Sequence, residues 1–530
     1  MTNEESIRQG KTTLGIEFGS TRIKAVLIDF EGNVLGIGVY DWENALENNI
    51  WTYSFEKIHT GLRRCYSSLR DSIEQKYDVK LEKTGAIGIS AMMHGYMAFD
   101  EKMEPLTIFQ TWRNSNTQKA ADELTQTFDF NIPLRWSVAH FYQRILDKEE
   151  HVKRVKFIST LAVYIHYKLT GNFVAGIGDA SGMFPIDSKK GNYDEQMVHK
   201  FDELISSRGI TISILDILPK IVKAGEYAGH LTEEGAAFLD EKGYLKAGIP
   251  LCAPEGDAGT GMVATNAVEP GTGNVSAGTS IFAMVVLKNE LSKIHREIDM
   301  VTTPEGYPCA MVHVNNGTSD LNAWVKLFSE FAELIGQKIS TGELYKTLYE
   351  KSLTGDLECG GLLSYGYYSG ENITRINQGR PMFLRMPNSN FNLSNFMRVH
   401  LFSTLGALKL GLDILAEEKV EVEHLNGHGG LFKTPEVGQR YLSAAAGVPV
   451  TIMHTASEGG AWGIALLALY LINAKDNETL GDYLNNRIFK DKLKTTIMAS
   501  EEEQHGFLTF MKRYKQGLLI EETATHSMNW

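Results

Sequence analysis

Near its start the chain reads as three apolar runs broken by turn residues. Residues 14–17 run into Gly19-Ser20-Thr21, residues 23–29 into Glu31-Gly32-Asn33, and "VLGIGVY" follows. Short apolar runs punctuated in this way predict strands joined by hairpin turns. The period then changes: Ile58, Leu62, Tyr66 and Leu69 recur at helical spacing in "FEKIHTGLRRCYSSLRDSIEQ", which predicts an amphipathic helix. "GAIGISAMM" and "HGYMAFD" return to strand-like runs around small residues. Hairpin, third strand, helix, strand is not the strict β-α-β alternation of a dinucleotide-binding fold.

The second half opens the same way. "NVSAGTSIFAMVV" is again a strand, a Gly-hydroxyl turn at Gly278-Thr279-Ser280, and a strand. "VEHLNGHGG" reads as a strand entering a glycine turn, and Thr434-Pro435 predicts a helix start with threonine as N-cap and proline first in the helix. "VPVTIMHTASEGGAWGIALLALYLI" predicts strand, loop and buried helix. Two halves with one opening predict two related α/β domains facing each other across a cleft. The break falls in "ATNAVEPGTGN", dividing the chain into residues 1–267 and 268–530.

Composition narrows the partners. A length of 530 residues exceeds one ordinary core, and 43% hydrophobic with 22% charged residues is globular. A formal charge of −13 disfavours a nucleic-acid or anionic-membrane surface. It leaves room for a nucleotide held locally by backbone N–H groups and a metal ion. Cys65, Cys252, Cys309 and Cys359 are scattered, with no C-x-x-C, as expected of reduced thiols. "MTNEESIRQGKTT" lacks the apolar core of a signal peptide, and the apolar run from Ala461 is shorter than the roughly 20 residues of a membrane span. A cytoplasmic, soluble protein is the expectation.

Four constellations carry candidate chemistry. Gly19-Ser20-Thr21 can aim successive N–H groups at a phosphate, and Glu17 beside it offers an oxygen ligand to magnesium. A lone hairpin of this kind reads more readily as a plain turn with a solvated Glu, but its recurrence at Gly278, Thr279 and Ser280 suggests two turns gripping one polyphosphate. Gly278 is expected to need a positive φ. Gly10-Lys11-Thr12 is no P-loop, since the first glycine would fall at Glu5. Asp257, between glycines at the predicted junction, suits a general base at a strand end or a capping carboxylate. His94, Trp112, Arg113 and Asn114 offer polar groups and an aromatic wall to a polyhydroxylated ligand. In "NGHGG", successive glycines let a base or ribose approach the backbone, or simply form a turn.

With these residues assembled, the chain resembles the FGGY family of carbohydrate kinases, nearest its xylulokinase–ribulokinase branch. The segments that carry the resemblance occur in the family's order. They are "GIEFGSTRIKAVLID", "ISAMMHGYMAFD", "TWRNSNT", "YKLTGNFVAGIGDASGMFPID" (containing Asp179), "PEGDAGTGMVATNAVEPGTGNVSAGTS", and "LNGHGGLFKTPEVGQRYLSAAAGVPV" with "SEGGAWGIALLAL". Glu17 stands where the family usually has aspartate, and Met92 where xylulokinases often have glutamine. The resemblance implies an actin-like, ribonuclease-H-like ATPase fold of two domains and a deep cleft. It implies ATP and Mg2+, with Asp257 as catalytic base and Glu17 and Asp257 near the metal. Met93, His94, Trp112, Arg113, Asn114 and Asp257 would meet the sugar. Gly19, Ser20, Thr21, Lys24, Gly278, Thr279, Ser280, Gly427, Gly429 and Gly430 would meet ATP. The implied reaction is phosphorylation of a terminal ketose hydroxyl, a pentulose being favoured, with a homodimer compatible with the chain. Two other readings remain: an actin- or chaperone-type ATPase using water, and a catalytically retired sugar binder.

Overall fold

In a computed structural model, which describes residues 1–453 and 459–528, the opening runs form an antiparallel meander. It comprises β1 (Thr12–Phe18), β2 (Arg22–Asp29) and β3 (Val34–Asp41). Helix α1 (Phe55–Tyr77) buries Ile58, Leu62, Tyr66 and Leu69 and returns the chain to β4 (Ala86–Ala91), parallel to β1. α2 (Leu161–Thr170) leads to β5 (Tyr227–His230), β6 (Pro250–Cys252) and the two-residue β7 (Glu255–Gly256). The sheet order is β5-β6-β4-β1-β2-β3, with β7 also pairing β4. All six residues of β4 are buried, as a central parallel strand covered on both faces requires.

The second half repeats the plan with an addition. After α3 (Asp257–Ala264) come β8 (Thr272–Ala277), β9 (Ile281–Val286), β10 (Ile298–Thr302) and β11 (Pro308–Val314). β11 takes the third place of the meander, and β10 is an extra edge strand beyond it. α4 (Ser319–Leu334) and the long α5 (Leu393–Glu417) lead to β12 (His424–His428), parallel to β8. α6 (Val437–Ala446), β13 (Val450–Met453), α7 (Gly459–Asn473), β14 (Lys494–Ile497) and α8 (Glu501–Ser527) complete it, giving the order β10-β11-β9-β8-β12-β13-β14.

One local expectation is corrected. α6 starts at Val437, not at Thr434-Pro435: Glu436 precedes it with a φ of 67°, and Pro435 lies in a turn whose carbonyl accepts the Val437 N–H at 2.9 Å. The start of the "SEGGAWG" segment, Ser457 and Glu458, lies outside the described residues. Among the described residues one helix, α5, is long and apolar enough to cross a membrane, and 72% of its apolar window is buried inside the protein. It is a core helix of the second half.

α7 belongs to the second half by sequence but packs on the first sheet. Thr13 Oγ1 donates to the Ala465 carbonyl at 2.9 Å. A side chain on Gly15 would begin 2.1 Å from the Ala461 carbonyl, so the helix rests directly on β1. Beside it, Gly463 lies so near α3 that a Cβ there would sit 2.0 Å from the Thr260 carbonyl. α3 and α7 thus stand together against β1 and β4, their N-terminal ends at one point.

Candidate active site

That point is the end of β1. Glu17, half-buried, faces Ser90 on β4 and Lys24 on β2 across the sheet. Its Oε2 accepts the Ala461 N–H from the first turn of α7 at 3.1 Å, and Oε1 fills the place a Gly460 side chain would take. Asp257 is the first residue of α3, with Gly256 as its N-cap; it therefore stands at a helix N-terminus rather than on the strand itself. Its Oδ1 accepts the Met93 N–H at 3.0 Å. Two helix N-termini converge on two carboxylates, and their dipoles favour negative charge there. Burial, then the charge of Asp257, pushes the Glu17 pKa up to about 7. Burial also raises that of Asp257, opposed by the Met93 N–H. A carboxylate with raised proton affinity is suited to accept a proton.

Both Gly-hydroxyl turns are built alike. In the first, the Gly19 carbonyl accepts from Trp42 Nε1 at 2.8 Å, that of Ser20 from the Tyr53 hydroxyl at 2.5 Å, and that of Thr21 from the Trp42 N–H at 3.1 Å. Across a trans peptide the N–H points opposite to the carbonyl. The Ser20 and Thr21 N–H groups therefore face away from that aromatic backing. In the second turn, the Gly278 carbonyl accepts from Thr318 N–H and Oγ1, both at 3.0 Å, and that of Thr279 from Gly317 N–H at 2.8 Å. Thr279 and Ser280 N–H groups are turned outward in the same way. Successive outward N–H groups make an anion cradle. Gly278 has no left-handed φ, contrary to expectation, and a Cβ there would meet only the Ser280 carbonyl, at 4.0 Å.

The "NGHGG" glycines divide. Gly429, exposed, has a φ of 100° and lies against Ala277, where a Cβ would be 2.5 Å from its carbonyl; exposed Gly430 follows. Both therefore border the second turn. Gly427 is buried in β12 and makes room for the Phe432 ring, 2.6 Å from where its Cβ would be.

The expected sugar segment divides too. Met93 and His94 are each 5% exposed, on the turn after β4. His94 takes a φ of 71°, rare for a residue with a side chain, and its Nδ1 is 3.5 Å from the Gly182 carbonyl. Burial, then the nearby Arg135 charge, holds its pKa well below the usual value, so the ring is neutral at pH 7. Trp112 Nε1 donates to Ser20 Oγ at 3.2 Å, linking this wall to the first turn. Arg113 lies over the Trp51 ring at 3.8 Å and bonds Asn44. Asn114 is a loop clamp, its Oδ1 accepting the Trp51 N–H and its Nδ2 donating to the Trp51 and Thr111 carbonyls, each at 2.9 Å.

Sequence reading assigned no role to the residues that brace these groups, and named Asp179 only within a segment that carries the family resemblance. Asp179 and Glu255 are buried beside Asp257, and burial pushes their pKa values up to about 7 and about 8. Trp42, Tyr53, Gly317 and Thr318 hold the turns from behind. No local pattern marks them, because each acts across a long sequence separation. Among the described residues no group of three His, Cys, Asp or Glu side chains could hold a metal. A site of two carboxylates still fits Mg2+, which takes one or two such ligands beside phosphates and water.

Two family matches account for nearly the whole chain. Residues 12–264 match the FGGY family of carbohydrate kinases, N-terminal domain, and residues 273–472 its C-terminal domain. The chain belongs to this family, and its two sheets are the halves of the actin-like ATPase fold. The xylulose kinase of Haemophilus influenzae is 22% identical over 79% of this chain and 82% of that protein. The glycerol kinase of Thermococcus onnurineus is 24% identical over 55% of this chain, and the chain spans only 56% of its length. A xyloylose kinase from Brucella ovis has the same fold, with a TM-score of 0.77 and 18% identity over 98% of this chain and 100% of that one. So does Plasmodium falciparum glycerol kinase with ADP, with a TM-score of 0.75 and 15% identity over 96% and 98%.

Proposed function

We propose that the protein transfers the γ-phosphoryl group of ATP to a terminal hydroxyl of a ketose, a pentulose before others. The observation that carries this reading is Asp257. It stands at the N-terminus of α3, held by the Met93 N–H next to the neutral His94. Asp257 accepts the hydroxyl proton as that oxygen attacks the phosphorus in line, and the bond to the β-phosphate oxygen breaks toward ADP. Met93 and His94 position the acceptor, with Trp112 as the wall that joins it to the first turn. The outward N–H groups of Ser20, Thr21, Thr279 and Ser280 neutralise phosphate charge, and Gly429 and Gly430 border the nucleotide. Positioning and charge neutralisation are the main demands of phosphoryl transfer.

Glu17 and Asp257 are the residues that would hold Mg2+, which when bound offsets charge on the phosphate oxygens. Lys24, opposite Glu17, belongs with the nucleotide side. A cytoplasmic location and a homodimer are both compatible with this reading.

A kinase assay over pentuloses and hexuloses tests it, with glycerol and gluconate added because structural and sequence relatives carry those names. ADP release that depends on one ketose, with an equal yield of its phosphate ester, is the expected result. ADP release unaffected by every acceptor would favour a water-using ATPase. Sugar binding without turnover would favour a retired binder.

A further inference from the structure

We propose that Asp179 is a specificity residue of the acceptor site, taking a hydrogen bond through its Oδ1 from one hydroxyl of the polyol. The proposal rests on the kinase reading above. Asp179 is fully buried. Its Oδ2 accepts the Thr160 hydroxyl at 2.5 Å, while its Oδ1 has no partner among the described residues. Buried polar atoms without a partner are rare, and a bound ligand is one of the things that explains them.

The surroundings say where that oxygen lies. It is 3.3 Å from the place a Gly256 side chain would begin, and the same place is walled by Met93 Cγ at 2.8 Å. Gly256 precedes Asp257, and Met93 N–H holds the Asp257 carboxylate. Gly182, in the helical turn that follows Asp179, carries the His94 ring, which would lie 2.5 Å from a Cβ there. The Met93-His94 turn, the Asp179–Gly182 turn and the Gly256-Asp257 step thus form one wall.

The protein holds Asp179 rigidly from behind. Its N–H donates to Glu255 Oε2 at 3.0 Å, and the Gly178 N–H to Oε1 at 3.3 Å. Gly176 and Gly178 are bare, since Cβ atoms there would lie 2.2 and 2.5 Å from the Glu255 carboxylate. Thr160 is itself fixed as the N-cap of α2. With both Glu255 oxygens given to backbone N–H groups, the buried polar side-chain atom of this wall without a partner among the described residues is Asp179 Oδ1. A neutral donor such as a sugar hydroxyl matches it, and an analogue without that hydroxyl leaves it unpaired.

The test is kcat/KM for the best ketose of the panel and for each of its monodeoxy analogues, with wild type, Asp179→Ala and Asp179→Asn. Folding is checked by circular dichroism and the KM for ATP measured alongside. Wild type should lose about 10–100-fold on one deoxy analogue. Asp179→Ala should lose a similar factor on the parent ketose, lose less than about threefold more on that same analogue, and keep its KM for ATP. If the alanine variant does not fold, Asp179→Asn decides, with the same position-specific failure of the two losses to multiply. Losses that multiply at every hydroxyl overturn the assignment of Asp179 while leaving the kinase reading standing. A wild-type enzyme that phosphorylates no acceptor removes the kinase reading, and this inference with it.

Discussion

Glu17 and Asp257 are 240 residues apart in the chain and meet because β1 and α3 end at one place. Each carboxylate keeps one oxygen on a backbone N–H, which fixes its direction without discharging it. Glu17→Gln can retain the bond to Ala461 but removes the charge that would balance Mg2+. A magnesium titration of kcat should show a large fall and a raised Mg2+ requirement for Glu17→Gln, with unchanged sugar affinity and partial recovery in Glu17→Asp. A Gln variant equal to wild type at every magnesium level would remove Glu17 from the metal site. Gly278 gives a cleaner test of the second turn, since neither its φ nor its neighbours demand glycine. Gly278→Ala should keep the melting temperature and weaken ATP binding, because the methyl group lies where only a ligand would approach. Unchanged ATP affinity would make the turn structural. At this scale the sequence marked residues with short-range signals, such as Gly-Ser-Thr and Met-His. It also counted Asn114 and Gly427, which the fold uses for a clamp and a ring contact. Glycine and asparagine serve turns, packing and ligands alike, and only their neighbours distinguish the three uses.

At the scale of elements, strands and helices followed the hydrophobic period closely, from the β1–β3 meander to α1 and α7. What the period could not show was the bracing between elements. The second turn is tied to Gly317 and Thr318, and the loop before them is braced by Glu371 in turn. Glu371 Oε2 accepts the N–H groups of Asn315 and Asn316 and the Asn316 amide, at 3.0, 3.2 and 3.1 Å, while Oε1 has no partner among the described residues. Burial raises its pKa from 4.5 to about 7. The folded protein therefore binds a proton there that the unfolded chain has lost. The resulting stability is complete below about pH 4.5 and is lost as pH rises through about 7. Melting temperatures of wild type and Glu371→Gln, compared from about pH 5 to about pH 8, should diverge, wild type losing ground as pH rises. Parallel curves would show that the carboxyl titrates normally.

For the whole molecule, the repeated opening was enough to indicate two related halves. The crossing of α7 onto the first sheet and the extra strand β10 were not legible, since both depend on contacts far apart in sequence. β10 joins the halves: Thr302 Oγ1 donates to the Ile177 carbonyl and Asn131 Nδ2 to that of Ile298, at 3.0 and 2.9 Å. Asp299 pairs there with Arg135. Urea denaturation of Asp299→Ala should show a loss of up to about 3–5 kcal/mol, because a largely buried guanidinium is left unpaired. Adding Arg135→Ala should recover much of it, and strictly additive losses would mean the pair does not couple the halves. On the proposed reading the two Gly-hydroxyl turns hold the nucleotide, the Met93-His94 wall holds the acceptor, and Asp257 acts between them. The most direct measurement is therefore single-turnover phosphoryl transfer from ATP to the best ketose, for wild type and Asp257→Asn, with ketose and ATP binding measured in parallel. The account predicts a rate lower by about 10²–10⁴ in the variant with both ligands still bound. Transfer at close to the wild-type rate would contradict it.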